Sequence, residues 1–203
     1  GYGLYADGLM EHDYHVGLLL DELDKLNIAE NTIVLYSTDN GSQTNTYPDG
    51  GVEPFRGEKG STWEGGFRVP SLVRWPGVVK PGTIINDIFS HQDWLPTLLA
   101  AAGEPGINAK LEKGFRAGDK TYKVYIDGHD QSDLLAGKGP GKRETIYYFD
   151  DNANFNAIRW NDWKIHFAFQ MDGWAGPREV LNFPRAINLR TDPYETSIDS
   201  GLY

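Results

Sequence analysis

Residues 32–68, TIVLYSTDNGSQTNTYPDGGVEPFRGEKGSTWEGGFR, decide the fold because they join an apolar strand to a long polar loop. Residues 33–36 form an apolar run without alternation, which is typical of a parallel strand covered on both faces. The run gives way to Asp39-Asn40-Gly41. The glycine-rich, charged segment that follows is longer than an ordinary connection, and such loops are usually functional or disordered. The stretch therefore predicts a strand of an α/β sheet with candidate functional groups at its carboxyl end.

The segments on either side complete an α/β pattern. Residues 7–27 predict an amphipathic helix whose apolar side chains recur at spacings of three and four. These side chains are Val16, Leu19, Leu20, Leu23 and Leu26. Residues 68–75 predict a second strand, and residues 90–103 predict a second long helix. The residues expected to cap, start and stop that helix are Ser90, Asp93, Pro96 and Gly103.

The amino-acid composition of the sequence changes near residue 104. A loop rich in glycine and charge is followed by short aromatic segments, which predict strands at 122–126, 145–149, 157–160 and 163–169. Asn161-Asp162 predicts a tight hairpin, because Asn and Asp tolerate the left-handed conformation. We therefore divide the chain into an α/β part, residues 1–104, and a small antiparallel α+β subdomain, residues 105–203.

Composition narrows the function classes. The 203-residue chain is 39% hydrophobic, which is enough to bury a core and argues against global disorder. A net charge of -10 argues against nucleic acid or an anionic membrane as a partner. No apolar run approaches the roughly 18 residues of a membrane span. Because the chain has no cysteine, it contains no thiolate metal site and no cysteine nucleophile.

Asp39 and Asn40 are the candidate metal ligands. A carboxylate and an amide carbonyl are oxygen donors of the kind that Ca²⁺ or Mg²⁺ prefers. Two ligands do not fill a shell of six or more, so other segments would have to contribute. The same Asp-Asn-Gly sequence is also typical of a simple turn without a metal.

Lys59 is the candidate anion-binding residue in the long loop. A loop that doubles back over the strand end would carry its ammonium to an oxyanion as a compact point charge. Arg56 and Arg68 are further candidates, since a guanidinium binds such anions through paired hydrogen bonds. The alternatives are that these cations are solvated or are neutralised by Glu58 and Glu64.

Four stretches together resemble the sulfatase family of the alkaline-phosphatase-like superfamily. They are STDNG (37–41), PFRGEKGSTWEGGFRVPSLVRWPG (54–77), SHQDWLPTLLAAAG (90–103) and NLRTDPYE (188–195). Their order and spacing agree over nearly the whole chain, and they are most similar to bacterial arylsulfatase-like enzymes. The resemblance implies the later part of a sulfatase sandwich, with a mostly parallel sheet and helices, followed by a small C-terminal antiparallel subdomain.

The resemblance also implies a role for each candidate residue. Asp39 and Asn40 match the family's late pair of calcium ligands, with Ca²⁺ preferred over Mg²⁺. Lys59 matches the lysine that binds the substrate sulfate on the leaving-group side, and Arg56 is a second candidate for substrate binding. The expected substrate is a small-molecule sulfate ester, and bacterial members of the family are often periplasmic or secreted.

One expected element of the family is missing from the 203 residues. The formylglycine nucleophile arises from a C/S-x-P-x-R motif, and neither this motif nor the early aspartate pair is present. We therefore expect a fragment of a sulfuric ester hydrolase, inactive alone, with the formylglycine segment upstream. Two alternatives remain: a phosphate or phosphonate monoester hydrolase of the same superfamily, and a non-catalytic remnant.

Overall fold

The computed structural model describes residues 1–50, 53–171 and 173–200. They form two compact units. The first unit combines residues 1–76 with residues 146–203, and the second consists of residues 77–145. The division at residue 104 that the sequence suggested stays a prediction.

The N-terminal part of the first unit contains two helices and a two-stranded sheet. The elements are α1 (Leu4–Lys25), β1 (Val34–Ser37), α2 (Glu64–Phe67) and β2 (Ser71–Arg74). Both predicted strands and the first helix are confirmed. The apolar stripe of α1, in contrast, contains no buried residue in the described structure, and Leu19 is 70% exposed.

The pairing of β1 differs from the prediction. We expected a parallel strand covered on both faces, but β1 pairs antiparallel with β2, with Val34 opposite Arg74 and Ser37 opposite Ser71. Its residues are half-buried or exposed. The reason is that the chain returns from β1 to β2 through residues 38–70, whose only α-helix in the described part is the single turn α2, and a parallel crossover needs a longer helical connection.

The second unit consists of three short helices and one hairpin. They are α3 (Trp94–Ala101), α4 (Ile107–Lys113), β3 (Phe115–Ala117), β4 (Lys120–Tyr122) and α5 (Ser132–Leu135). A 3₁₀ turn, His91–Asp93, precedes α3, and Ser90 and Asp93 form the predicted capping box. The predicted strand at 122–126 is wrong, because the strand ends at Tyr122.

Asp93 also organises the interior of the second unit. Its carboxylate is buried and accepts hydrogen bonds from Arg143 at 2.7 and 2.8 Å and from the His129 backbone at 2.7 Å. Burial raises the pKa of Asp93, but these donors outweigh burial and lower it. The residue predicted as a helix cap is therefore also the acceptor of a buried ion pair.

The C-terminal part of the first unit is a four-stranded sheet in the order β5-β6-β7-β8. The strands are β5 (Thr145–Phe149), β6 (Phe155–Trp160), β7 (Trp163–Phe169) and β8 (Glu179–Asn188). β6 and β7 pair antiparallel through the predicted hairpin, in which Asn161 has φ 50°. The predicted strands 145–149, 157–160 and 163–169 are confirmed.

The apolar core of the first unit lies between this sheet and the long loop. Trp63 from the loop packs with Phe169, Ile187, Leu189 and Ile198. Its indole N–H donates to the Gln170 carbonyl at 2.8 Å, so even its polar atom is satisfied. Trp63 is thus a packing residue, and it anchors the loop that carries Lys59 onto the C-terminal sheet.

Candidate functional site

The Asp39-Asn40-Gly41 turn follows β1 and leaves two side-chain oxygen groups uncommitted. Asp39 is exposed, and Asn40 is half-buried. The Asn40 side-chain amide donates to the Gly41 carbonyl at 2.8 Å, which directs its Oδ1 away from that bond. Among residues 1–50, 53–171 and 173–200, no group donates a hydrogen bond to the Asp39 carboxylate or to Asn40 Oδ1. The segment is a turn, and it also presents two hard oxygen donors.

The long loop folds back onto this turn. The Gly41 backbone N–H donates to the Gly66 carbonyl at 3.0 Å, and the Lys59 N–H donates to the Ser42 carbonyl at 2.8 Å. A Cβ on Gly41 would collide with the Gly65 carbonyl, so only glycine permits this approach. The backbone of Lys59 is therefore hydrogen-bonded to Ser42, two residues after Asn40.

The Lys59 side chain is half-buried and has no counter-ion among the described residues. Its Nζ lies over the Trp174 ring, 5.2 Å from the ring centroid. A cation held beside an aromatic face without a carboxylate retains its charge for an incoming anion.

The two loop arginines, in contrast, are neutralised. Arg56 forms a two-pronged ion pair with Asp199 at 2.9 and 3.0 Å and also donates to the Glu195 carbonyl at 3.0 Å. Arg68 Nε donates to Glu64 at 2.7 Å. The backbone of Lys59 thus lies at the turn, whereas the Arg56 guanidinium is paired with Asp199. The substrate-binding role of Arg56 stays a prediction.

The donor set at the turn fits part of a calcium site. In the described part of the chain, no group of three or more His, Asp or Glu side chains could hold a metal ion. Asp39 and Asn40 alone supply oxygens of the correct hardness, but fewer than the six to eight ligands that Ca²⁺ takes. These two residues would hold one side of the ion.

Beneath the loop lies a buried charge network that sequence reasoning missed. Lys164 is fully buried, and its Nζ lies 3.1 Å from Glu64 Oε1 and 3.0 Å from Glu195 Oε1. It also donates to the Thr62 carbonyl at 2.9 Å, and the Tyr148 hydroxyl donates to Glu64 at 2.7 Å. Burial raises the pKa of Glu64, but the Lys164 ammonium and the Tyr148 hydrogen bond outweigh burial and bring the pKa to about 2.

Glu195 ties the loop to the C-terminal end of the chain. One of its oxygens accepts the Glu64 backbone N–H at 2.7 Å, and the other contacts His166 Nε2 at 2.8 Å. Asp192, from the same DPYE stretch, shapes the turn by accepting backbone N–H groups of Thr196 and Ser197 at 3.0 and 2.8 Å. The NLRTDPYE motif thus serves the geometry of the loop.

His166 is fully buried inside this network, which favours its neutral form. Burial lowers its pKa more than the Glu195 hydrogen bond raises it. Nε2 therefore carries the proton and donates to Glu195, while Nδ1 is a buried acceptor that has no partner among the described residues. The sequence shows only that Lys164 and His166 are two apart on β7 and so share a face; it does not show that this face is buried.

Comparisons with known proteins identify the family of this chain. Residues 1–104 match the sulfatase family model. Arylsulfatase A from Homo sapiens is 36% identical over 84% of this chain and 31% of its own length. PsFucS1 sulfatase from Pseudoalteromonas sp. is 31% identical with a TM-score of 0.78, covering 94% of this chain and 37% of that one. A third protein, whose structure is described in connection with glycosaminoglycan metabolism by Bacteroides thetaiotaomicron, is 27% identical with a TM-score of 0.67. The match covers 91% of this chain and 38% of that one.

The chain belongs to the sulfatase family, and its fold is of the α/β, alkaline-phosphatase-like class. The family model covers three of the four motifs on which the resemblance was based. The chain spans about a third of the length of these relatives, since it covers 31% of arylsulfatase A and 37% and 38% of the two structures. No helix in the described ranges is both long and apolar enough to cross a membrane.

Proposed function

We propose that this chain forms one side of the active site of a sulfate ester hydrolase. The observation that carries the proposal is that Lys59 has no counter-ion among the described residues and that its backbone is hydrogen-bonded to Ser42, two residues after Asn40. A cation and a pair of cation-binding oxygens on two hydrogen-bonded segments suit an anion that bridges a protein charge and a metal. The sulfate group of a small-molecule ester is such an anion.

Each residue has a distinct part in the proposed reaction. The Lys59 ammonium donates hydrogen bonds to sulfate oxygens and stabilises the charge that develops on the leaving oxygen. Asp39 and Asn40 would hold Ca²⁺, which would supply positive charge to stabilise the sulfate group. The buried Glu64–Lys164 pair holds the end of the loop that carries Lys59, because Lys164 also donates to the Thr62 carbonyl.

The nucleophile is expected from sequence that these 203 residues do not contain. The chain has neither cysteine nor a C/S-x-P-x-R motif, from which the family's formylglycine would arise. Lys59, Asp39 and Asn40 can bind and orient the ester, but none of them is placed to attack sulfur. We therefore expect the chain alone to be a binding-competent fragment without turnover, and we expect the complete protein to be periplasmic or secreted.

The first test is a titration of the 203-residue protein with inorganic sulfate and with calcium, followed by nuclear magnetic resonance. Sulfate should shift the amide signals of residues 58–60, and Lys59→Ala should abolish that shift. Lys80→Ala is the matched control, because Lys80 is an exposed lysine of the other unit and should leave sulfate binding unchanged. Calcium should bind weakly through Asp39, since two protein ligands make a low-charge site.

Activity tests the same proposal in the enzyme completed with its nucleophile segment. A hydrogen bond to a charged group contributes about 1.5–3 kcal/mol, so Lys59→Ala should lower kcat/KM about 10- to 150-fold. An unchanged kcat/KM in this variant would remove Lys59 from the site. Faster turnover of phosphate or phosphonate monoesters than of sulfate esters would favour the other branch of the superfamily, and the absence of sulfate binding would favour a non-catalytic remnant.

A further inference from the structure

The Trp174 ring lies next to the Lys59 ammonium. Trp174 belongs to the connection between β7 and β8. Three hydrogen bonds fix the position of Trp174. The backbone N–H donates to Glu58 at 3.2 Å, the carbonyl accepts from Gln170 at 3.2 Å, and the indole N–H donates to Asp151. A side chain held in this way offers a pre-oriented ring.

The indole is packed closely and is still partly exposed to solvent. Gly60, with φ +79°, lies against the pyrrole ring so closely that a Cβ at this position would collide with it. Lys59 Nζ lies 5.2 Å from the ring centroid. Trp174 nevertheless stays 40% exposed, so it is partly accessible to solvent beside an ammonium that has no counter-ion among the described residues.

The neighbouring polar groups indicate what that surface binds. Asp151 is exposed, and Oδ2 accepts the indole N–H, while Oδ1 accepts no hydrogen bond from any described residue. Asn152 beside it is exposed as well. An aromatic surface rimmed by a few acceptors and an amide suits a ring that has an apolar face and hydroxyls at its edge. A pyranose has both, whereas a simple aryl ring has no hydroxyls.

We propose that Trp174 determines the specificity of the Lys59 site by stacking on a pyranose ring whose sulfate ester lies on Lys59. The proposal rests on the proposed function, because it needs the anion on Lys59. Asp151 has two parts: it fixes the indole through Oδ2 and accepts a sugar hydroxyl through Oδ1. A sulfated sugar therefore binds at two adjacent points, and inorganic sulfate binds at one.

The test is a set of titrations followed through the indole N–H signals of the ¹⁵N-labelled protein, with the Trp174 signal assigned by Trp174→Phe. The probes are glucose 6-sulfate, 4-nitrophenyl sulfate, inorganic sulfate and unsulfated glucose. Glucose 6-sulfate should bind more tightly than inorganic sulfate and 4-nitrophenyl sulfate, and it should shift the Trp174 signal. Trp174→Ala should weaken glucose 6-sulfate about 2- to 12-fold and change inorganic sulfate less than twofold.

Two further variants keep the result interpretable. Trp174→Phe preserves an aromatic face and should retain most of the affinity, which guards against a misfolded Trp174→Ala protein. Trp160→Phe is the matched control, because Trp160 is 57% exposed on β6 and should not affect any probe.

The outcomes separate the two proposals. If inorganic sulfate binds through Lys59 but Trp174→Ala leaves glucose 6-sulfate unchanged, the stacking role is refuted and the anion site stands. Equal losses for glucose 6-sulfate and 4-nitrophenyl sulfate would refute the preference for a pyranose. If neither sulfate nor glucose 6-sulfate binds, both proposals fail.

Discussion

Replacing Lys164 by methionine removes the ammonium that lies 3.1 Å from Glu64 and 3.0 Å from Glu195. All three side chains are at most 1% exposed, so water cannot take the place of the ammonium. Glu64 keeps its Tyr148 and Arg68 donors and Glu195 keeps its His166 donor, but the two carboxylates lose the buried cation between them. Breaking a buried ion pair from one side costs about 3–5 kcal/mol, and we expect a loss of that size in the free energy of unfolding at pH 7.

Urea unfolding followed by tryptophan fluorescence measures this loss, since Trp63 is buried against the network at 1% exposure. With a slope of about 2–3 kcal/mol per molar urea, the midpoint should fall by about 1–2.5 M. The deficit should shrink below about pH 5, because carboxyls without the ammonium have a higher pKa and become protonated. The double variant Lys164→Met/Glu195→Gln should recover part of the loss.

Lys142→Met is the matched control. Lys142 lies 3.9 Å from Asp133 with both side chains about half exposed, so its loss should change stability by no more than about 0.5 kcal/mol. A Lys164→Met loss below about 1 kcal/mol, or a loss that does not depend on pH, would refute the claim that the ammonium neutralises two buried carboxylates.

Two further predictions concern acid and the glycine turn. Because the folded-state pKa of Glu64 is about 2, against 4.5 when unperturbed, its contribution of about 3 kcal/mol is complete above pH 4.5 and is lost as the pH falls towards 2. Unfolding free energies measured from pH 7 to 3 should decline accordingly, and a decline just as steep in Glu64→Gln would contradict this assignment. Gly41→Ala should cost about 1–3 kcal/mol and weaken sulfate binding, because its Cβ would displace the Gly65 carbonyl; an unchanged urea midpoint and an unchanged sulfate titration would show that the approach is not tight.

The parts of the fold that the sequence predicted are those set by local chemistry. The period of α1, the capping box of Ser90 and Asp93, and the Asn161-Asp162 hairpin depend on neighbouring residues and are therefore visible in the sequence. The direction in which β1 pairs depends on where the chain returns after the loop, and no local pattern carries that information.

The candidate site divides in the same way. Asp39, Asn40 and Lys59 stand out in the sequence because their residue types imply a chemistry. β7 misleads, because alternation predicts that Lys164 and His166 face solvent, yet both are fully buried, while Trp163 is 47% exposed. Lys164 and His166 can be buried because Glu64 and Glu195, which lie 100 and 31 residues from Lys164 in the sequence, provide their charged partners. No pattern within one strand can show such distant partners.

The long span of the Glu64 network has a consequence for how the protein is made. Glu64 is synthesised 100 residues before Lys164 and 131 residues before Glu195. At about 5–20 residues per second, the ribosome needs about 5–25 s to deliver both partners. During that interval the segment around Lys59 has no buried cation to close on. The order of synthesis thus makes this loop one of the last parts of the first unit to take its final shape on the nascent chain.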